Sequence, residues 1–576
     1  MIWFVGVPTM AIVTVARAVR RRVLLVAGLW LLLLSAGAAP AFADSAAAGG
    51  DLSVAQSLGD RELTVVLRRV TSVPGPLRVD VVTHTGTAAG RLTVAATPTG
   101  VTDGNSSLPA PGVSTAESFV ELGAAPGMYS ATLDMDRPGP WELAIGDGTR
   151  VARIPFVVPA QVISPPERLV YVGFLVAGVL LPVSVLVAMR ARRTAWALLP
   201  AGGMVAGVAV SVTAALLSVS LPLPPQPGGQ LDPTVDNVSD PYALNQPMVS
   251  DFSRPPVLLT VEGGPLPAGR PGDLNLVLID AATGLPADDL VVHDSALMHL
   301  LVVGPSGGLS HLHPIRTGPG RYQVHLAAPE AGRSALSAEV ARRGGGVQMV
   351  RAATGFVATP NDGAPASNSG APTGTAGAPL HLGGSATSAS TTVNGTAITV
   401  RTSAAVAGTP TTLVAEIGDS ADLQPWLGMV GHLIMAGPLP DNAADIAAGV
   451  QDSAIWGHAH SMGPTSMHDM GSTSGHDMGS KPGMSEHSMP GMSGHDMPGM
   501  SEHGATAPAR GVMLMPPVNG ESAPDETVAA YGPDVPFTYT FPIAGRYRLW
   551  IQAERQYTVL TVPVVLDVAP APGAHR

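Results

Sequence analysis

The chain has 576 residues, enough for three to five domains at roughly 100–200 residues each. Its formal net charge is −12 and aromatic residues are only 4%, so it lacks the basic footprint and stacking surface of a nucleic-acid-binding protein. Cysteine is absent, which excludes disulfides, thiolate zinc sites, iron–sulfur clusters and blue-copper sites. His, Met, Asp and Glu remain as metal ligands.

The N-terminal segment predicts secretion. Four arginines between positions 17 and 22 precede an apolar run at residues 23–34, and Ala41-Phe42-Ala43 forms a small-x-small cleavage site. We expect a cleaved signal peptide at residues 1–43. An uncleaved anchor is the alternative.

Two uncharged apolar runs follow at residues 169–189 and 196–221, and each can cross a hydrocarbon core of about 30 Å. The loop between them holds Arg190, Arg192 and Arg193 without an acid, so the positive-inside rule places it in the cytoplasm. We therefore expect two transmembrane helices at 168–221 in a multi-pass cell-membrane protein with extracytoplasmic N- and C-terminal modules. A buried hairpin in a soluble domain is the alternative.

The rest of the chain predicts β-structure. Short alternating segments between Gly/Pro turns in residues 51–158 are typical of an antiparallel sandwich. A Pro-rich linker at 222–251 and a Gly/Ala/Ser/Thr linker at 359–392 set off two further modules, at 252–358 and 393–570. The expected fold class is mainly β, with three immunoglobulin-like β-sandwich modules, two transmembrane helices and a disordered Met/His-rich loop.

The last two modules repeat one motif. An apolar strand opened by His and closed by Gly-Pro is followed by H-x-H and then by Pro-x-Ala-Gly-Arg. The candidate metal ligands are His299, His311 and His313 in one module and His432, His458 and His460 in the other. The N-terminal module has no H-x-H, and its single histidine, His84, is expected at the surface.

Strand geometry brings these histidines together within each module. Residues i and i+2 of a strand share one face. A hairpin centred near Ser306 would place Leu301 opposite His311 and His299 opposite His313, where cross-strand Cβ atoms lie about 4.5–5.5 Å apart. Three converging imidazoles suit copper or zinc, and His293 is a candidate fourth ligand. The alternative is that these histidines are hydrogen-bonded packing residues.

Residues 458–503 hold seven His and nine Met in a Gly/Ser/Pro-rich context, which predicts an exposed, disordered tether. Thioether sulfur suits Cu(I), and imidazole suits Cu, Zn and Ni, so the mixture favours copper in both oxidation states. Besides His458 and His460, the candidate ligands here are Met462, Met467, His468, Met470, His476, Met478, Met484, His487, Met489, Met492, His495, Met497, Met500 and His503. A low-complexity spacer without a ligand role is the alternative.

The His-Asp-Met repeats at 468–470, 476–478 and 495–497 resemble the Met/His-rich tracts of bacterial extracytoplasmic copper-resistance proteins. The modules around Met298-His299-Leu300 and His311-Leu312-His313-Pro314 resemble immunoglobulin-like domains of secreted heavy-metal proteins. The N-terminal module, with Gly127-Met128-Tyr129, is similar to YtkA-like domains. The resemblance implies copper binding.

Two departures limit what the resemblance implies. Without cysteine the chain cannot be a copper oxidase with an electron-accepting thiolate site. The expected mature N-terminus is Asp44 rather than His, so the amino-terminal site of CopC-like carriers does not transfer.

We expect a membrane-anchored extracytoplasmic copper-binding protein for copper sequestration, tolerance or handover. An accessory copper-delivery factor for a membrane cuproenzyme, or a non-metal Ig-like surface interaction protein, is the alternative. The expected cofactor is copper as Cu(I) and Cu(II), with zinc as an alternative at the H-x-H sites. The expected partners are metal ions, the membrane and another copper protein, without nucleic acid. We expect no enzyme, because a nucleophile elbow, a Gly-rich nucleotide loop and a carboxylate pair at recognisable spacing are missing.

Overall fold

The computed structural model describes residues 51–158, 165–218, 256–440, 445–461 and 530–573, leaving out 69, 71, 100–112, 192, 343–345 and 362–377. The signal peptide, the Pro-rich linker and every Met/His ligand candidate from Met462 to His503 therefore lie outside the described residues. All the described residues belong to one compact unit. The predicted fold class is confirmed: the described residues are mostly strands, with two long apolar helices.

The first module, residues 51–158, contains two four-stranded antiparallel sheets, ordered β1-β2-β3-β6 and β5-β4-β7-β8. Inward-facing apolar residues of both sheets form its core around Trp141. Its strands are β1 Leu52–Leu58, β2 Arg61–Leu67, β3 Gly75–Thr83, β4 Gly90–Pro98, β5 Ala116–Leu122, β6 Gly127–Met135, β7 Gly139–Gly146 and β8 Val151–Val158.

The second module, residues 256–361, has a seven-stranded and a four-stranded sheet. Its core is continuous with that of the first module. The strands are β9 Val257–Glu262, β10 Leu266–Pro267, β11 Pro271–Asp280, β12 Leu290–Val291, β13 His299–Val303, β14 Leu309–Leu312, β15 Ile315–Gly318, β16 Arg321–Ala327, β17 Gly332–Arg342, β18 Gly346–Arg351 and β19 Phe356–Thr359. In the larger sheet β17, β13 and β14 are neighbours.

The third module, residues 378–573, has a six-stranded and a four-stranded sheet. Its elements are β20 Leu380–Gly383, β21 Ser388–Val393, β22 Thr396–Thr402, β23 Pro410–Ile417, β24 Leu423–Gln424, β25 Gly431–Leu439, β26 Ile455–Ser461, β27 Asp534–Thr540, β28 Gly545–Arg555 and β29 Thr558–Val568, with one helix at Ile446–Asp452. The module begins earlier than the sequence suggested. β20 and β21 lie in the predicted linker 359–392, where partly exposed Ser and Thr residues concealed an edge strand.

The second and third modules pack through β13 and β25, and each of these strands is buried on both faces. Leu300 of β13 lies in its own module's core, whereas Leu301 and Val303 pack with Ile434 and Ala436 of β25. Because side chains alternate along a strand, His299 and His432 lie on the same faces as these inter-module contacts. The motif histidines are thus carried to the junction between the two sandwiches.

The two long helices are α1 Pro165–Arg190 and α2 Leu198–Ser218. Both are long and apolar enough to cross a membrane. They pack closely at small residues: a Cβ added to Gly173 would lie 2.3 Å from Ser211 Oγ and 2.6 Å from the carbonyl oxygen of Gly207. Ser211 Oγ donates a hydrogen bond to the carbonyl oxygen of Val170 at 2.9 Å. Small residues that let backbones approach are typical of paired membrane helices.

Gly173→Leu should separate the helix pair and cost about 1–3 kcal/mol of stability, the usual penalty of forcing extra volume into a packed interface. Gly178→Leu is the matched control, because a Cβ at Gly178 meets nothing within 4 Å. Thermal unfolding of the detergent-solubilised protein, followed by its helical circular dichroism, measures the difference. Equal midpoints for the two variants would contradict the packing.

Candidate metal centre

The motif histidines form two groups of three, which we call the first and second triads. In the first triad, Leu301 of β13 pairs with His311 of β14, which confirms the register expected for a hairpin near Ser306. One ligand nitrogen from each of His299, His311 and His313 lies within 4.8 Å of the other two. The second triad has the same spacing and comprises His432, His458 and His460.

The two triads lie against each other, whereas the sequence predicted a separate site in each module. The ring centroid of His458 is 5.3 Å from that of His299 and 5.1 Å from that of His311. His311 and His432 are 5.7 Å apart by the same measure. The six imidazoles are buried and form one six-histidine cluster at the junction of the second and third modules.

Hydrogen bonds orient the imidazole rings of the first triad. His299 Nε2 donates to the carbonyl oxygen of His293 at 3.1 Å, so its Nδ1 has a lone pair. His311 Nδ1 donates to Gln552 Oε1 at 2.9 Å, and Gln552 is oriented by donating from Nε2 to Thr561 at 2.9 Å. The remaining nitrogens, His299 Nδ1 and His311 Nε2, face each other at 3.1 Å.

The second triad repeats this arrangement. His432 Nε2 donates to the carbonyl oxygen of Trp426 at 3.1 Å, and His432 Nδ1 faces His458 Nε2 at 3.1 Å. The Nδ1 of His458 lies 3.3 Å from Glu339 Oε2. Each triad therefore holds two ring nitrogens 3.1 Å apart, close to the spacing of two ligands on one cation.

The third histidine of each triad has a free inner nitrogen. His313 Nδ1 is hydrogen-bonded to Glu62, and His460 Nδ1 lies 3.3 Å from Asp294 Oδ2. The Nε2 atoms of both rings are buried and have no hydrogen-bond partner. A buried nitrogen without a partner costs about 1–3 kcal/mol, which a bound metal ion would offset.

The spacing of these nitrogens also fits a metal ion. Two nitrogens bound at about 2.0–2.1 Å to one tetrahedral ion are about 3.3 Å apart. The facing nitrogens in the two triads are each 3.1 Å apart. Three neutral imidazoles with a fixed second hydrogen bond are the ligand set of metal sites that keep one coordination position open.

Burial, followed by the charges of neighbouring imidazoles, lowers the pKa of His299, His311 and His432 well below the usual value. The same causes lower the pKa of His460 to about 4. These rings are therefore neutral at pH 7, which is the form that binds metal.

His293, proposed as a fourth ligand, lies outside the first triad. Its ring joins Asp294 and Glu339 in a third group, the mixed site, whose ligand atoms also lie within 4.8 Å of one another. His293 Nε2 is 2.8 Å from Asp294 Oδ2 and 3.4 Å from Glu339 Oε1. Burial alone would lower the pKa of His293, but hydrogen bonds to the two carboxylates raise it to about 9.

The first module completes the cluster. Glu62 of β2 holds His313, and Ser57 accepts a hydrogen bond from the backbone N–H of His313 at 2.8 Å. The expectation that His84 is a surface residue was wrong: it is buried, and its Nδ1 is 2.5 Å from Glu554 Oε1 in the third module. This contact joins the first module to the third.

Glu62→Leu should weaken metal binding at the first triad about 10–100-fold, the usual effect of losing the residue that orients a ligating histidine. Glu62→Gln keeps an acceptor for His313 and is the control. Competition titration with a chelator measures the affinity of each triad. An unchanged first-triad affinity in Glu62→Leu would rule out this role for Glu62.

Sequence reasoning missed the residues that orient the histidines, although one signal was present. Glu339 and Gln552 occupy the same place, seven residues after the glycine of each Pro-x-Ala-Gly-Arg motif. They pair across the sheet with His299 and His432, respectively. Each then reaches the opposite module, Glu339 to His458 and Gln552 to His311. Glu62 and Asp294 had no such signal.

Comparisons with known proteins leave the family undefined. A family profile described as a domain of unknown function (DUF8832) matches residues 521–570, a small part of the chain. No curated protein matches the chain.

Solved structures similar to the chain include tandem repeats of a large adhesion protein, with 8% identity and a TM-score of 0.14, covering 90% of this chain and 74% of that one. Invasin, a bacterial integrin-binding protein, has 8% identity and a TM-score of 0.12, covering 90% and 60%. The fibronectin domains FN1–FN3 of chicken CNTN1 have 7% identity and a TM-score of 0.12, covering 90% and 99%.

Proposed function

We propose that this protein is a membrane-anchored extracytoplasmic copper-binding protein that holds copper for sequestration, tolerance or handover. The observation that supports this most strongly is the pair of buried triads, each with two ring nitrogens facing at 3.1 Å and a third inner nitrogen without a hydrogen-bond partner. The buried Nε2 atoms of His313 and His460, which have no hydrogen-bond partner, would each gain one by binding a cation.

Each triad would bind one ion through His299 Nδ1, His311 Nε2 and His313 Nε2, or through the matching atoms of His432, His458 and His460. Neutral imidazoles accept copper or zinc, and the Met/His segment 458–503 favours copper as the ion delivered. The signal sequence and the arginine loop support an extracytoplasmic location, and α1 and α2 support a membrane anchor. Delivery to a membrane cuproenzyme is a variant of the same proposal that differs only in the receiving partner.

The experiment is a copper titration of the detergent-solubilised full chain in which residues 462–503 are replaced by a Gly/Ser segment of equal length. The full chain is needed because Glu62 of the first module contacts the site. We expect two strongly bound Cu(I) ions, one per triad. His311→Ala and His458→Ala should each remove one, and His325→Ala, which alters a histidine paired with Asp273 away from the cluster, should remove none.

The second candidate is a surface interaction protein without a metal. It is favoured by the immunoglobulin-like sandwich fold, which many cell-surface domains share without sharing a function. Absence of copper and zinc binding in the same titration, with the wild-type segment present, would favour this candidate over the first.

A further inference from the structure

The mixed site, formed by His293, Asp294 and Glu339, is the part of the cluster closest to solvent. The side chain of His293 is 26% exposed, whereas the triad imidazoles are buried. The carboxylates are almost fully buried, at 9% for Asp294 and 6% for Glu339. Two buried carboxylates carry two negative charges, and the one imidazole beside them can offset only one of these when it is protonated.

The third module contains the same turn without these ligands. The two turns are residues 293–296 and residues 426–429, and in each the first and last residues exchange two backbone N–H···O hydrogen bonds. The N···O distances are 2.9 and 3.0 Å in residues 293–296 and 2.8 and 3.0 Å in residues 426–429. The two central residues have positive φ in both turns: 46° and 59° for Asp294 and Ser295, and 55° and 76° for Leu427 and Gly428. In each turn the first carbonyl accepts the Nε2–H of the triad histidine six residues later.

The ligand-type residues are therefore not needed to build the turn. Trp426 and Leu427 occupy the places of His293 and Asp294, and Gln552 occupies the place of Glu339. At all three positions the second module carries a side chain that can bind a metal ion. The third module carries two apolar side chains and one amide there. A packing role would not require this difference, because the same backbone forms without it.

The mixed site also contacts the second triad directly. Asp294 Oδ2 lies 3.3 Å from His460 Nδ1, and Glu339 uses one oxygen toward His293 and the other toward His458. An ion held by the mixed site would therefore share its carboxylate neighbours with His458 and His460, two ligands of the second triad.

We propose that His293, Asp294 and Glu339 form a third metal site, which binds a divalent cation, Cu(II) or Zn(II), at the solvent side and passes it to the triads. One imidazole and two carboxylates suit a divalent ion, whereas Cu(I) prefers imidazole and thioether ligands. The transfer moves an ion between ligand sets without a change in oxidation state. Transfer of the ion from the mixed site to the triads rests on the proposed function of the triads, whereas metal binding at the mixed site does not.

The test is the metal stoichiometry of the full chain carrying the Gly/Ser replacement of 462–503, with Zn(II) and with Cu(I). When the mixed site is unmodified, we expect the protein to bind three Zn(II) ions or two Cu(I) ions. The His293→Gln variant should bind two Zn(II) ions or two Cu(I) ions. Its triads should bind Zn(II) at least ten-fold more slowly than those of the protein with an unmodified mixed site. Glu339→Gln, which introduces the residue of the third module, provides a second variant if the first does not fold.

His325→Gln is the matched control, because His325 is also a partly exposed histidine beside carboxylates, with Nδ1 2.6 Å from Asp273 Oδ1. It should retain three Zn(II) ions and the normal filling rate. Two Zn(II) ions in both the unmodified site and His293→Gln would overturn the third site and leave the triads intact. One Zn(II) ion in the unmodified site and none in His293→Gln would support the third site and refute the proposed function of the triads.

Discussion

The metal-free protein should lose stability steeply as the pH falls below about 6.5. Burial holds the pKa values of His299, His311 and His432 well below the usual value, and that of His460 at about 4. The unfolded chain binds protons on these groups from about pH 6.5 downward, while the folded protein does not. Each group should therefore remove ~1 kcal/mol of stability per pH unit until its folded pKa is reached.

Other groups at the cluster act in different pH ranges. The pKa of His293 is raised to about 9, so its contribution is present below pH 6.5 and is lost as the pH rises toward 9. The lowered pKa values of Asp294 and Glu339 mean that their contribution is lost only as the pH falls through those values, below about 4. Maximum stability of the metal-free protein is therefore expected near pH 6.5–7.

Urea unfolding of the metal-free full chain at pH 7, 6 and 5 measures this dependence. His432→Gln should reduce the slope by the contribution of one group. A flat stability profile between pH 7 and 5 would contradict the burial of neutral imidazoles. Saturation with metal should shift the loss to lower pH, because protons and metal compete for the same nitrogens.

His84→Leu should destabilise the protein by about 3–5 kcal/mol, the typical effect of removing one partner of a buried ion pair. Glu554 is fully buried, and its Oε1 lies 2.5 Å from His84 Nδ1. Its Oε2 has no hydrogen-bond partner. Without His84 the carboxylate would remain buried at the contact between the first and third modules.

The double variant His84→Leu/Glu554→Leu separates this charge effect from the loss of packing. Replacing both partners by apolar groups is often close to neutral, so the double variant should recover most of the lost stability. The urea midpoint of each full-length variant, followed by tryptophan fluorescence, gives the comparison. If the double variant were less stable than His84→Leu alone, the effect would not come from an uncompensated charge.

The sequence predicted the sandwiches and the long helices because their signals are local: alternation in strands, uncharged runs in helices and Gly/Pro turns between them. The hairpin register around Leu301 and His311 followed from the position of one turn. The histidines were found for the same reason, since i and i+2 spacing is readable in a single segment.

The joining of the triads could not be predicted in the same way. The β13 segment reads as an apolar run, and nothing within it shows that one face packs on its own core and the other on a second sandwich. Glu62 reaches His313 across 251 positions of sequence, and Gln552 reaches His311 across 241. Such contacts depend on how whole modules dock, which short patterns do not encode.

The reciprocal contacts of Glu339 with His458 and Gln552 with His311 have a consequence for the origin of the chain. They relate the second and third modules by an approximate two-fold axis, as in an isologous homodimer. One ancestral module carrying three histidines could have built the whole centre by pairing with a second copy of itself. Fusion of two such copies would give this arrangement, in which His293 and Asp294 of one module stand where the other carries Trp426 and Leu427.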